Sequence, residues 1–535
     1  MNGAAKSFRN LSVVCALAAG LATAQSVSTS QINGSVQDSS GLPVPNAEIK
    51  LTQLATGALR TTVTAADGAY VFPSLAVGPY QLEVTKEGFT KYVQSGIVLQ
   101  VDTNPEINIV LKVGSVAEQV VVEAAASMVE THSTGVGQLV DSQRIVDLPL
   151  NGRQATDLIF LAGAATIGPA GDLSSNKNYP TQVISVAGGQ SNGMTYLLDG
   201  GTHNDPFNNL NLPIPFPDVL QEFKVETSAL PAQYGHHAAA AVNAVTKSGT
   251  NEFHGDLFEF VRNGVFNARN FFAAARDSLK RNQFGGTFGG PVLKNKLFFF
   301  AGYQGTITRS DPPTRISFVP TAAMLQGDFT TIASPTCNAG RQITLKAPFS
   351  NNKIAPALFS KPALNILKYI PSTDDPCGQV TFGIPAKTDE HQGIGRVDYQ
   401  WSAKHSLFGR YFLTNLEQPP IYDGKNALTT GQAGSDDRVQ SLVLGDTYLL
   451  GSATISSFRA TVNRSRILRT SAQFFSGPDV GVDMSAPVPK FMVVTITGGF
   501  GVGGGTASPG FFNTTALQAA EDLSLVRGPH QIGFG

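Results

Sequence analysis

The sequence predicts a mainly β protein: a small β-sandwich, a mixed α/β segment and the N-terminal part of a large antiparallel transmembrane β-barrel, behind an export signal. Three observations predict it. Segments of the C-terminal half alternate apolar and polar residues with a period of two. The connections between those segments alternate long and short, as in a membrane barrel with loops on one side and turns on the other. After the N-terminal signal, no run is long and apolar enough to span a bilayer as a helix, so a membrane-bound form must span with strands.

Composition agrees with a membrane-facing chain. Of 535 residues, 14% are charged, well below the ~25% of an average soluble protein. A net charge of −1 provides no electrostatic footprint for nucleic acid. Lys6 and Arg9 form a basic region before an apolar stretch, Leu11 to Ala22, and Ala22-Thr23-Ala24 is a small-x-small cleavage site. Residues 1–24 therefore read as a signal peptide with a mature start at Gln25. Cys15 falls inside it and outside any lipobox. Cys337 and Cys377 are left as an even pair in an exported chain: a disulfide suits the compartment, and two free thiols are the other reading.

Residues 30–113 carry short strands separated by Gly41, Asp67-Gly68 and Val77-Gly78-Pro79 turns, the pattern of a sandwich. The run "INGSVQDSSGLPVPNAEIKLT" with "ADGAYVFPSLAVGPYQLEVTKEGF" resembles the carboxypeptidase regulatory-like domain. The resemblance implies a seven-stranded, transthyretin-like fold grouped with carbohydrate-binding-like folds, and an accessory role without catalysis.

Residues 114–127 read as a linker. Its β-prone run Val120, Val121 and Val122 lies between Glu118 and Glu123. Such a run, extended and loosely held, can add as an edge strand to a partner's sheet; an ordinary connecting strand is the alternative. Residues 128–251 read as mixed α/β, with a short helix from Gln154. Here "LPLNGR", "LDG", "QYG" and "VTKSGTNEFHG" occur in the order that resembles the plug domain of TonB-dependent outer-membrane receptors, Oar-like branch. The resemblance implies that a TonB-type periplasmic energy-coupling protein pulls on the plug, with Glu118, Val120, Val121 and Val122 as its TonB-box-like contact. It further implies an outer-membrane location and a substrate that binds plug and loops outside and passes through the lumen.

Residues 252–535 read as an incomplete barrel. Nine strands are expected: Phe253–Arg262, Asn282–Pro291, Leu297–Arg309, Ile394–Ser402, Ser406–Asn415, Val439–Leu449, Ala453–Ser465, Leu517–Arg527 and Gln531 onward. In "LFFFAGYQGTITR", Leu297, Phe299, Ala301, Tyr303 and Ile307 share one face and are expected to meet lipid. Phe298 and Phe300 point the other way, towards the lumen and the plug. The first strand is less regular, because Asp256 and Arg262 share parity with Phe258 and Phe260. A barrel closing around a plug needs about 22 strands, so further wall is expected beyond Gly535 and a curved, unclosed sheet is expected from this chain.

Catalytic patterns are missing from the sequence. His236-His237 are adjacent, so their rings diverge on a strand, and no HExxH is present. The glycine-rich run around Gly498-Gly499 and Gly503–Gly505 lacks a following GK[ST]. Asp374-Asp375 beside Cys377 reads as a solvated loop face before a cation site. The expectation is a receptor with no enzymatic activity, no cofactor and no metal, importing an extracellular substrate; glycans and peptide-derived compounds both remain open. The alternative is a surface barrel for adhesion or assembly, with the sandwich as a carbohydrate-binding-like module and no transport.

Overall fold

The structure, a computed structural model, describes residues 30–101, 103–114, 119–123, 135–169, 173, 177–230, 239–269, 271, 276–310, 315–422, 424–451, 454–504, 509–527 and 530–535. The expected signal peptide, Glu118, the Tyr234-Gly235 corner and His236-His237 lie outside the described residues.

Strands β1 (Ser30–Asp38), β2 (Glu48–Gln53), β3 (Leu59–Val63), β4 (Ala69–Leu75), β5 (Gly78–Thr85), β6 (Lys91–Leu99) and β7 (Ile109–Leu111) build the sandwich. One sheet runs β4-β1-β7 and the other begins β3-β2-β5-β6. Alternation places Ile32, Val36, Ile49, Leu51, Phe72, Leu82, Val84 and Ile97 in a shared core between the sheets. Tyr70 and Tyr80 bury their rings there and donate their hydroxyls to the Ile107 and Ala76 carbonyls at 2.7 and 2.8 Å.

Residues 119–123 are extended, as expected, but not loosely held: they take the alternative reading of a connecting strand. They are strand β8 (Gln119–Glu123), paired in parallel with β6 from Lys91↔Gln119 to Ser95↔Glu123. The outer edge of β6 offers unpaired backbone groups, and a valine run of high β propensity satisfies them. Val121 on this edge strand is 63% exposed.

The mixed segment comprises β9 (Val136–Asp141), helix α1 (Ser142–Asp147), a 3-10 helix (Ala155–Ala162), β10 (Ala165–Ile167), β11 (Ile184–Val186), β12 (Met194–Leu198), β13 (Gly201–Thr202), β14 (Leu220–Ser228) and β15 (Ala240–Thr246). Its main sheet has the order β13-β12-β15-β14-β9. Asp141 caps α1 by accepting from the Arg144 amide at 2.9 Å. Every residue of β15 is buried, so a run of small and β-branched side chains replaces alternation there.

The wall is one nine-stranded antiparallel sheet. It begins with β16 (His254–Asn263), β17 (Lys280–Leu293) and β18 (Leu297–Ser310). A long connection then carries the small hairpin β19 (Arg315–Phe318) and β20 (Gln379–Phe382). The wall continues with β21 (Ala386–Ser402), β22 (His405–Gln418), β23 (Gly434–Leu449) and β24 (Thr454–Thr470), then the loop hairpin β25 (Val494–Thr495) and β26 (Gly501–Val502), and ends with β27 (Gly510–Arg527) and β28 (His530–Phe534). All nine expected strands are present, most of them longer at the loop end. Among the described residues β16 and β28 form the two edges and do not pair with each other. The mixed segment, expected as a plug, packs against the concave face of a partly wrapped wall. Phe300 on that face meets Phe216 and Val219 of the plug. Asp256, Phe258, Phe260 and Arg262 share that face, which accounts for the irregular first strand: Phe258 packs on Phe216.

Three long connections at one end share their own core. Val319 and Ile366, Leu428, and Phe474, Phe475, Val480, Phe500 and Val502 come from residues 311–385, 419–433 and 471–509. Cys337 and Cys377 are bonded to each other within the first of these, with Cα atoms 5.4 Å apart. Asp375 closes the adjoining turn by accepting from the Cys377 and Gln379 amides at 2.8 and 3.0 Å. Part of the glycine-rich run is β26. The sandwich lies at the opposite, short-turn end. There the Asn251 amide donates to the Ala55 carbonyl at 2.9 Å, and the Val101 amide donates to Glu222 of the plug at 2.5 Å.

Candidate functional site between plug and wall

Two features stand out where plug meets wall, and both grow out of plug motifs. The first is the "LDG" turn. Asp199 adopts φ 54° and Gly200 φ 78° between β12 and β13, a left-handed pair that Asp and Gly tolerate best. The turn delivers the Asp199 carboxylate to the wall. It accepts from Arg396 Nη1 at 3.1 Å, Arg410 Nε at 3.0 Å and the Thr246 amide at 2.9 Å. Asp199 is 1% exposed and Arg410 fully buried. Arg396 and Arg410 stand directly opposite each other on β21 and β22, an arrangement of like charges that repels. Asp199 resolves it by accepting from both. Arg396 is further neutralised by Asp398, and Arg410 donates to the Ser441 carbonyl at 3.0 Å. Desolvation of such a cluster is costly and is offset only by this full set of partners. Gly201 follows with no room for a side chain: a Cβ there would lie 2.5 Å from Thr461 Oγ1 of β24.

The second feature is a polar cavity of about 350 Å³ on the long-loop side of the plug. The "LPLNGR" turn forms part of its floor. Gly152 and Arg153 both take positive φ, 76° and 55°. Gly152 lies close to the Arg281 guanidinium of the wall, and its left-handed φ is the conformation that glycine adopts without strain. Arg153 pairs with Asp218 and sits over the Phe258 and Phe260 rings, 4.8 and 4.2 Å from their centroids. Arg262 donates to Asn151 at 3.0 Å and Gln283 donates to the Gly152 carbonyl at 2.9 Å. Across the cavity, the Tyr179 hydroxyl donates to Glu390 at 2.8 Å. Burial, and then the nearby Glu390 charge, push the Tyr179 phenol well up, so it stays a neutral donor. Guanidinium, hydroxyl and amide groups of Arg262, Arg281, Thr306, Thr388 and Gln392 complete the lining. Such a surface suits a ligand rich in hydrogen-bond acceptors.

The residues singled out by sequence are dispersed. Val120, Val121 and Val122 are on the sandwich edge, Cys337 and Cys377 in the loop cap, and Leu297, Phe299 and Tyr303 on the convex face of the wall. Phe299 is half-buried there and Tyr303 is 44% exposed. None of them lines the cavity. Asp199, Arg396, Arg410, Arg262, Arg281, Tyr179 and Glu390 were not singled out. The signal available was the "LDG" and "LPLNGR" motifs themselves; their partners on the wall lie over 100 residues away and carry no local signature. Among the described residues no group of three His, Cys, Asp or Glu side chains is placed to hold a metal ion.

Comparison with known proteins adds the following. Residues 31–112 match the carboxypeptidase regulatory-like domain, and residues 245–535 match the outer membrane beta barrel domain. Over 307 residues, 55% of its length, the chain is 30% identical to the TonB-dependent transporter Oar of Myxococcus xanthus. That match covers 28% of the relative, so the chain spans under a third of it. Similar solved structures include the siderophore receptor PirA from Acinetobacter baumannii, at 12% identity and a TM-score of 0.42, over 73% of this chain and 45% of that one. The outer membrane transporter YddB from Escherichia coli is also similar, at 12% identity and a TM-score of 0.44, with the same coverage.

Proposed function

Because the chain belongs to the outer membrane beta barrel domain family and resides in the outer membrane, we propose that it is part of a TonB-dependent receptor importing an extracellular substrate past a plug. The observation that carries this reading is the cavity between plug and wall, which faces the long loops and is lined by convergent polar donors. A substrate bound there touches both the fixed wall and the movable plug, the geometry that lets a pull on the plug release it. The chain performs no chemistry on the substrate; a polar, hydrogen-bonding compound, glycan or peptide-derived, fits the lining.

Energy enters from the sandwich side. In this reading residues 1–24 are a cleaved signal, 30–113 the accessory sandwich, 128–251 the plug and 252–535 the wall. A TonB-type protein recruits the Val120–Val122 run as a strand of its own sheet. Because β8 already pairs with β6, recruitment is an exchange of one sheet edge for another. The shared core of the three long loops favours a second reading, a rigid surface cap for adhesion. Substrate profiling of a deletion strain separates the two. Uptake that needs an energised inner membrane and stops when Val120–Val122 is disrupted supports transport; surface binding without uptake overturns it.

A further inference from the structure

The convex face of the wall carries a second hollow, of about 330 Å³, near the short-turn end. Val397 and Tyr399 of β21, Leu407 and Gly409 of β22, Leu444 of β23 and Phe458 of β24 line it. The hollow exists because Gly409 presents no side chain where its outward neighbours Leu407 and Tyr411 do. Its lower lip differs in chemistry. Lys296 Nζ lies 5.9 Å from the Tyr399 ring centroid, and Lys404 occupies the turn between β21 and β22. Trp401, 60% exposed, stacks on His405 at 5.5 Å. Asp446 also lines the hollow and lies 2.6 Å from His405 Nε2; Lys296 and Lys404 supply the basic side chains of this lip.

An apolar slot that ends at an indole and two ammonium groups has the layout of a lipid boundary, with hydrocarbon above and phosphate below. We propose that this slot seats one acyl chain of an anionic glycerophospholipid from the periplasmic leaflet, its headgroup held by Lys296 and Lys404. The site rests on the chain being an outer-membrane barrel and is independent of the transport reading. Its occupant ties β21 to β24 together on the lipid side, opposite the Arg396–Asp199–Arg410 cluster on the lumen side.

Trp401 is the chain's single tryptophan, so its emission reports this place alone. The test reconstitutes the full chain in neutral phosphatidylcholine vesicles and titrates in phosphatidylglycerol with brominated acyl chains, against brominated phosphatidylcholine. Brominated phosphatidylglycerol is expected to quench at a lower mole fraction, with Lys296→Gln or Lys404→Gln each reducing that advantage about fivefold. Gly409→Leu, whose side chain fills the slot, abolishes the excess quenching. Gly395→Leu, also outward but with no atom within 4 Å of its Cβ position, preserves it and controls for folding. Identical quenching curves for the two lipids overturn the proposal, as does excess quenching that survives Gly409→Leu in a variant that still reconstitutes.

Discussion

The N-terminal half of the chain is attached to its surroundings in two contrasting ways. At Asp199 the plug grips the wall through a buried carboxylate shared by two opposed arginines. At β8 the segment leading into the plug is attached by a five-residue parallel ladder on an exposed edge. A buried charge cluster loses several kcal/mol when one member leaves, because the remainder stay desolvated. An edge ladder can be exchanged for another at nearly equal cost, since its backbone groups find the same partners elsewhere. The difference fits the proposed roles: the first attachment holds the plug in register with the wall, and the second is the one that the proposed coupling would hand over.

The largest expected effect comes from breaking the first attachment. Asp199→Ala leaves Arg396 and Arg410 facing each other without their shared partner, and should destabilise the protein by up to about 5 kcal/mol. Thermal unfolding in detergent checks it; Asp199→Asn, which keeps the shape, should lose less. Should Asp199→Ala melt like the parent, the grip does not lie here. Next comes the loop cap, as a covalent reference. Opening the 40-residue Cys337–Cys377 link with paired serines should release roughly 4 kcal/mol of loop entropy to the unfolded cap. Faster proteolysis of residues 311–385, with the wall's melting unchanged, is the expected outcome.

A pH-dependent contact lies between these regions. Glu222 is buried beside the sandwich, and burial raises its carboxyl from 4.5 to about 7. Because the folded protein holds the proton more tightly than the unfolded chain, its stabilising contribution is complete below about pH 4.5 and is lost as pH rises through about 7. The change is roughly 3 kcal/mol. The melting temperature in detergent should therefore fall across that window, and Glu222→Gln should flatten the profile. The smallest effect on stability belongs to β8: Val121→Pro removes one backbone donor from an exposed edge, and should lower stability by under about 1 kcal/mol while abolishing recruitment of the coupling protein. A large loss of melting temperature would mean that β8 is a structural strand and not a handle.

The wall was legible because lipid on one side and a packed plug on the other enforce alternation, as in Phe298 and Phe300 against Phe299. Legibility ended where the membrane ends. Residues 386–393, "AKTDEHQG", are polar on both faces and read as a connection, yet the backbone ladder of β21 continues through them to pair Ala386 with Ser310. Hydrogen bonding propagates a strand past the point where the side chains signal it. The cavity was illegible for a different reason. Arg281 reads as the end of a long connection and Arg262 as the irregular end of the first strand, and only the fold shows that they close over Gly152 and Asn151 more than 100 positions earlier. The docking of β8 lay between these cases: the strand propensity was evident, but the identity of its partner sheet was not.

The most direct test of the exchange is a reversible lock. Ser95 and Glu123 are register partners of β6 and β8 and lie at the exposed end of the ladder. The full chain carrying Ser95→Cys and Glu123→Cys is oxidised and presented to the periplasmic domain of the TonB-type protein. Binding should vanish in the locked form and return on reduction, while the parent treated identically binds throughout. Undiminished binding by the locked protein would contradict the account, because the partner would then take up its strand without β8 ever leaving β6.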